Sequence, residues 1–586
     1  MNKHSYKLFF PVVLVSLFLF SGVFAQDTPP KVDDTQNVKP EEVKGVPNIA
    51  EGYRNDSREL PDIGRVGVDM LDQKPMSMRE AILKGLESNI DIEVTKTDVK
   101  LAEFDLEAAE GSFEPSINGQ TFYDRSTTPN ISIFSSNKST TNGTLGGSLR
   151  YQGYLRDYGS FYYSEISNQR IGTNNTISIL SPQYNTSLSF GFTQPLLRGR
   201  RFDERRRVIE IAKKNLSMSD VQFRQKAIEV TAGIQRAYWD LAFALKNLQV
   251  QRDGVKDAKE QLEHNRRLVE EGILAPIDVV AAETQVANLE LSVYSALENV
   301  NRAENSLKGL LSGNKNEVLW SEALLPTEAV DLKVPPTSLD DALTDAFQNR
   351  PELESLSNAK EINEINQRFY KEQDKPQVDF TASYSTSGVS GSFNSGFRTP
   401  FQPTVCQTDP NSAECAAAIE ALNASIRSNA ETFTGGYQSN LSDMILNRYP
   451  TFRVGVTFTL PVAGGKTSAA NLGKSLVEGE KLDIQRKRLE QLIQIDVRNA
   501  LQSMRTAEAR LRSAAIAREN SEKQYESEKR KLDEGLSDIY KVLERQTALM
   551  NARSQEIQAQ IELNKSIAEL QRATGNSLKA NEVTLK

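Results

Sequence analysis

The chain has 586 residues, 25% charged and 38% apolar, with a formal net charge of −8. Past residue 25 no segment offers the ~20 continuous apolar residues of a spanning helix, which excludes a polytopic helical membrane protein. The acidic balance argues against nucleic acid as a partner, and two Cys and two His leave almost nothing for a metal site; no cofactor is expected.

The first 25 residues read as an address. Lys3 and Lys7 give a positive start, Leu8 to Phe24 is apolar around Pro11, and Val23-Phe24-Ala25 is a small-residue cleavage site. These features predict a secretory signal peptide over 1–25 and an exported mature chain of net charge −10. Residues 26–76 are rich in Pro and charge (Thr28-Pro29-Pro30-Lys31, Lys39-Pro40-Glu41-Glu42). Such a segment buries too little apolar surface to offset its ordering entropy, so it is predicted to be an extended linker, held loosely if at all.

The remainder repeats. Met78-Arg-Glu-Ala-Ile-Leu83 matches Leu339-Asp-Asp-Ala-Leu-Thr344, and Pro115 matches Pro376. Thr193-Gln-Pro-Leu-Leu-Arg-Gly199 matches Thr459-Leu-Pro-Val-Ala-Gly-Gly465. Glu271-Gly272 matches Glu534-Gly535, and Ser312-Gly313-Asn314 matches Thr574-Gly575-Asn576. Five anchors in one order predict a domain-sized unit present twice, over 77–314 and 338–576. A linker over 315–337 joins the units, and 577–586 is a tail.

Each unit opens with a predicted helix, 77–110 and 338–373. Pro115 and Pro376 then begin extended chain with alternating apolar residues, as in Val378-Asp-Phe-Thr-Ala-Ser-Tyr384 and Phe452-Arg-Val-Gly-Val-Thr-Phe458. These are predicted strands. They lie within 115–195 and 376–461, separated by long polar insertions over 126–184 and 387–449, which gives four principal strands per chain and leaves open whether the insertion at about 140–166 adds strands.

Helical hairpins follow, over about 204–313 and 466–574. Ile234, Leu241, Leu248, Val255, Leu262 and Val269 sit seven apart, with Val230, Ala237, Ala244 and Ala258 on the neighbouring seam. Val497, Met504, Leu511, Tyr525 and Leu532 repeat the pattern, interrupted by Arg518 and accompanied by Ala500, Ala507 and Ala514. A strict seven-residue repeat predicts coiled-coil packing. Glu204 to Glu271 would span about 100 Å as one helix. Gly272 suits a left-handed stop and Pro276 the first position of the next helix; in unit two Gly535 is the stop and Ser537 a natural N-cap.

Tyrosine-rich alternating strands in an exported chain suggest an outer-membrane barrel. Four strands cannot close one, since about eight is the minimum, so closure would need several chains. The predicted class is therefore mainly α with a β-barrel portion. The duplicated plan, Thr193–Gly199, Ala237-Tyr-Trp-Asp-Leu241, and Gly272 followed by Asp278-Val279 together resemble TolC-type outer membrane efflux proteins (outer membrane factors), over about 77–580. The resemblance implies a homotrimer with a 12-stranded barrel in outer-membrane lipid and a hollow helical barrel across the periplasm. It implies a passive exit duct, not an enzyme, serving a tripartite efflux or type I secretion system. The implied partners are a periplasmic adaptor (membrane fusion) protein and an inner-membrane pump or ABC transporter. The competing function is an exported coiled-coil scaffold or surface protein without a pore.

The resemblance places adaptor-contacting tips at Gly272, Ile273, Leu274, Gly535, Leu536 and Ser537, where simple helix capping is the competing explanation of the glycines. The family's first constriction Asp on the unit-two return helix corresponds to Lys541, and the acidic position one turn later to Glu544. A family Arg corresponds to Ser537, and the unit-one Asp is kept as Asp278. Asp278, Lys541 and Glu544 are the candidate periplasmic gate; alternatively Lys541 pairs along its own helix with Asp538 or Glu544. The barrel topology puts Cys406 and Cys415 outside the cell, where a short loop and oxidising conditions favour a disulfide between them.

Two other features are weaker. Ala463-Gly464-Gly465-Lys466-Thr467 lacks the first glycine of a phosphate loop, because that position is Leu460. His264, the one His of the mature chain, reads as a solvated surface residue.

Overall fold

The structure, a computed structural model, describes residues 64–131, 137–330, 334–399, 401–460 and 466–584. The predicted signal peptide, most of the predicted linker, and Ala463–Gly465 of the rejected phosphate loop lie outside these residues. Within them, no helix is long and apolar enough to cross a membrane.

The linker's end is not loose: Asp69–Met76 is a strand, β1. The helix expected over 77–110 is two, α1 (Met78–Ser88) and α2 (Ile90–Glu110). Asn89 divides them because its side chain accepts from the N–H groups of Asp91 and Ile92, at 2.9 and 3.3 Å, and so starts a new helix. Four strands follow, β2 (Ser116–Pro129), β3 (Ser139–Leu155), β4 (Ser160–Thr173) and β5 (Leu180–Pro195). The first hairpin is α3 (Glu204–Glu270) and α4 (Pro276–Leu311), and β6 (Glu322–Pro326) closes this half.

The second half opens with α5 (Leu339–Asn349) and α6 (Pro351–Gln373), again two helices where one was expected, because Pro351 cannot continue the first. Then come β7 (Gln377–Phe393), α7 (Val405–Thr408), α8 (Ala413–Glu431), α9 (Tyr437–Ile445) and β8 (Tyr449–Thr459). The second hairpin is α10 (Lys466–Asp533) and α11 (Ile539–Ala573), followed by α12 (Ser577–Ala580).

The main sheet is antiparallel, in the order β2-β3-β4-β5-β7-β8. This corrects the expectation of four strands per chain. The insertion over 126–184 is polar in composition, but β3 and β4 inside it are strands, with Leu145, Leu149, Tyr151 and Ile166 on one face and Arg150, Glu165 and Tyr163 on the other. A second sheet pairs β1 in parallel with β6. Its reason is chemical. The Tyr238 hydroxyl donates to the Met76 carbonyl at 2.9 Å and accepts from the N–H groups of Thr327 and Glu328, both at 3.0 Å. Glu304, fully buried, accepts from Arg65 at 2.9 Å and from the Leu324 N–H at 2.7 Å. Lys308, also buried, lies 3.7 Å from Glu304 and donates to the Trp320 carbonyl at 3.1 Å.

The heptads face their partners. Ile234, Leu241 and Leu248 are buried with Val300, Leu307 and Leu311 of α4 and with Ile82 of α1. In the second hairpin Val497, Met504 and Ala507 are buried with Leu563 and Leu570 of α11 and with Ala342 and Ala346 of α5. Arg518 interrupts the second heptad row without leaving a bare charge, donating to Glu556 at 2.8 Å and to Glu522 at 2.9 Å.

Candidate functional site

The tips are built by two glycines. Gly272 and Gly535 have φ of 77° and 70°, a conformation costly for residues with a Cβ. In each, the following N–H reaches back five residues, Ile273 to the Leu268 carbonyl at 2.8 Å and Leu536 to the Lys531 carbonyl at 2.7 Å. This closes the orphan carbonyls of the long helix. The chain then turns with apolar side chains in the open: Ile273 is 64% and Leu536 is 78% exposed.

The return helices start differently. Pro276 opens α4, and the Asp278 carboxylate accepts the Ala275 N–H at 3.1 Å. In the second hairpin the cap is Asp538, not Ser537: its carboxylate accepts the Lys541 N–H at 3.0 Å. A carboxylate at a helix N-terminus gains from the helix dipole where a hydroxyl does not. The Ser537 hydroxyl turns back to the Glu528 carboxylate instead.

Of the candidate gate, Lys541 lies 2.9 Å from Asp538 on its own helix, and Glu544 is exposed one turn on. Hydrogen bonding to Lys541 lowers the Asp538 pKa, and the Lys541 pKa is raised by the same contact. Within one chain Asp278 and Lys541 are thus each engaged by a neighbour in their own turn. His264 is not simply solvated, since its Nε2 lies 3.5 Å from Asp533 of the other hairpin.

The strands form a two-faced wall. The cross-strand row Ile117, Tyr151, Ser164, Phe190, Tyr384 and Phe452 lies on one face, because paired residues of an antiparallel sheet point the same way. That face also carries Tyr123, Leu145, Leu149, Val454, Val456 and Phe458, all more than a third exposed. The opposite face carries Arg150, paired to Glu165 at 3.3 Å, together with Asp379 and Arg453. Apolar on one side and charged on the other is the pattern of a barrel wall between lipid and water.

At one end of the wall the second insertion folds back. Cys406 and Cys415 are joined, with Cα atoms 4.8 Å apart. Asn440 of α9 is buried and donates to Thr186 of β5 at 2.9 Å, while Thr386 and Ser390 of β7 donate to the carbonyls of Met444 and Gly436 at 3.1 and 3.0 Å. Sequence reasoning missed this docking and the buried Arg65–Glu304–Lys308 group, and it left undecided the strands β3 and β4 of the first insertion. The alternation Leu145, Leu149, Tyr151 carried a signal for β3, masked by Gly146 and Gly147.

The family model described as outer membrane efflux protein matches residues 159–313 and 342–576. No curated protein matches the chain. Among solved structures, the Campylobacter jejuni CmeC outer membrane channel is 14% identical with a TM-score of 0.57, covering 85% of this chain and 86% of that one. A membrane protein from Pseudomonas aeruginosa is 14% identical with a TM-score of 0.58, covering 90% and 99%. The open-state MtrE outer membrane channel of Neisseria gonorrhoeae is 15% identical with a TM-score of 0.54, covering 90% and 96%. At such identities the likeness is one of fold.

Proposed function

Because the chain belongs to the outer membrane efflux protein family, we propose that three copies of it close into one duct through the outer membrane and periplasm. The chain is an outer-membrane exit channel; the trimer, its partners and its opening are what we add. One observation carries the trimer. Among the described residues, β2 and β8 of the six-stranded sheet each pair on one side only. An open strand edge cannot stand in hydrocarbon, where no water satisfies its N–H and C=O groups. Antiparallel pairing of β8 with β2 of a neighbouring copy removes every edge at once.

The hairpins then form a helical barrel beneath, each long helix reaching about 100 Å. The duplicated arrangement of the two halves gives this barrel its two kinds of hairpin. A periplasmic adaptor docks on the exposed apolar tips around Ile273 and Leu536, and an inner-membrane pump or ABC transporter supplies the cargo. Asp278, Lys541 and Glu544 ring the closed end. The work is passive conduction, with energy supplied by the partner.

The test is a Cys scan pairing Ile117–Tyr123 of β2 with Arg453–Phe458 of β8, read as crosslinked trimers in isolated outer membranes, alongside conductance in planar bilayers. Inter-copy crosslinks at alternate positions and a conducting trimer are expected. A soluble monomer that conducts nothing would reject the duct in favour of a scaffold.

A further inference from the structure

We propose that β3 and β4 are membrane-spanning strands, so that three copies build an 18-stranded outer-membrane pore instead of the 12-stranded one that four strands per copy give. The inference rests on the trimeric reading above and adds the width of the pore through the outer membrane.

Placement comes first. β3 pairs with β2 over Ser116–Pro129 and with β4 over Asn142–Leu155, and β4 pairs with β5 from Phe161 to Ile171. β2 and β5 do not pair with each other, so the hairpin is part of the wall and not an appendage to it. The strands have 17 and 14 residues, more than the about 9–11 that a tilted membrane strand needs.

The two faces agree. On the face shared with Phe190 and Phe452, β3 presents Leu145, Leu149 and Tyr151, and β4 presents Tyr162 and Ile166. On the other face Arg150 pairs with Glu165 at 3.3 Å and stacks over the Tyr163 ring at 4.2 Å, and the Ser167 and Ser187 hydroxyls meet at 2.8 Å. The apolar band therefore continues across the added strands, and their mid-strand charges face the water. The arginines on the outward face of β2 and β4, Arg125 and Arg170, lie opposite Gly143 and Leu145, toward the end away from the helices. A charge near the edge of the bilayer is far cheaper than one at its midplane.

The ends agree as well. The turn between β3 and β4 is short, with Gly159 at φ 65°, and it packs at the base of α3. Arg205 of α3 lies 3.4 Å over the Tyr154 ring, and Gln194 donates to the Tyr158 carbonyl at 3.2 Å. Short turns on the periplasmic side are the rule for such barrels.

Width follows from strand number. At a spacing of about 4.8 Å and a tilt near 40°, 12 strands give a backbone radius of about 12 Å and 18 strands about 18 Å. The lumen is roughly doubled in section, into the range where barrels hold an open aqueous channel. The strand wall is then too wide to be the constriction, which falls to the hairpin tips.

The test is pulsed electron spin resonance on the full-length trimer, with a nitroxide at Ser189→Cys on the inward face of β5; the two native Cys are bonded to each other. Three-fold symmetry puts equivalent backbone sites about 31 Å apart for 18 strands and about 21 Å for 12. The longer distance is expected, shrinking by about a third in a variant whose residues 139–173 are replaced by a short turn. If that variant does not assemble, the parent distance alone decides. A trimer with the short distance would overturn the wide pore and leave the duct standing. A monomer on native gels with no inter-copy distance would overturn both.

Discussion

The two hairpins are nearly equal in length and unequal in burial. α3 has 67 residues and α10 has 68. α3 is held by its own chain on several sides. Ile234 and Leu241 are fully buried, Ser554 of α11 donates to Asn247 at 2.8 Å, and the Met550 side chain lies where a Cβ on Gly254 would sit. α10 leaves Val477, Ile484, Ile495 and Ile516 exposed by 63%, 67%, 55% and 61%. Val477, Ile484 and Ile495 are seven and eleven residues apart, which puts them on one stripe. A stripe of this kind on a long helix wants a partner. One plan thus does two jobs: the first hairpin completes the fold of the chain, and the second leaves a surface that the proposed trimer would cover.

The bases of the hairpins differ in the same sense. Beneath the first, the Arg65, Glu304 and Lys308 side chains are 5%, 0% and 0% exposed. Burial lowers the Lys308 pKa, with Glu304 opposing. Beneath the second, Asp496 meets Arg350 at 2.7 Å and Arg572 at 2.9 Å, with its side chain 31% exposed. Breaking the buried group should therefore cost more than breaking the wetter one. Glu304→Ala strands two cations in the core and is expected to lose about 3–5 kcal/mol, measured by chemical denaturation of the detergent-solubilised protein. A loss no larger than that of an Asp496 variant would erase the contrast.

The stripe comes next in size. In the proposed trimer, Ile484→Asp puts a charge where a neighbouring copy would pack, and withdraws an apolar burial worth about 1.5–3 kcal/mol per copy. The trimer should dissociate on native gels while the helical circular dichroism of the chain persists. Retention of the trimer would mean that α10 faces water.

Asp496→Asn is expected to cost about 1.5–3 kcal/mol, and its pH dependence sharpens the comparison. Burial pushes the Asp496 carboxyl upward, but Arg350 and Arg572 outweigh it, so its pKa lies below the ordinary value. A depressed carboxyl supports the folded state above the ordinary pKa of about 4 and loses that support as pH falls through the folded value. The stability gap between parent and Asp496→Asn should therefore close on acidification below about pH 4. A gap that is constant from pH 7 to pH 3 would assign the effect to packing.

The sequence disclosed the hairpins more fully than the wall. Apolar residues at a period of seven have one structural meaning over about ten turns, and Gly272 and Gly535 mark where the row stops. Strands β3 and β4 offered only short alternations rich in Gly, Ser and Thr, which loops share; it took the pairing of Tyr151 with Ile117 and Ser164 to set their faces. β1 was hidden because its fastening lies far along the chain, on Tyr238 and Glu304. The cap of α11 was misplaced by one residue, since Ser537 and Asp538 are both good caps and only the turn geometry chooses between them.

The smallest effect is expected at the tips, where the hairpins differ by charge. The first return helix carries Asp278 and the second Lys541. Lys541 and Asp538 are 60% and 51% exposed, so their 2.9 Å pair is worth only about 0.2–1 kcal/mol. Stability will scarcely register its loss; conductance can. With three copies around one axis, three Lys541 and three Glu544 lie within about one helical turn, ~5.4 Å, along the pore. A gate held by a few weak pairs needs little coupling energy from a docking adaptor to open it. Lys541→Ala and Glu544→Ala are each expected to raise the resting conductance or change the cation preference in planar bilayers. Asp278→Ala serves as the first-hairpin comparison, because its carboxylate already holds the Ala275 N–H. If neither second-hairpin variant changes conductance or selectivity while Asp278→Ala does, the constriction belongs to the first hairpin. If none of the three does, it lies at another ring of the tip, for which Tyr540, 57% exposed beside Lys541, is the next residue to change.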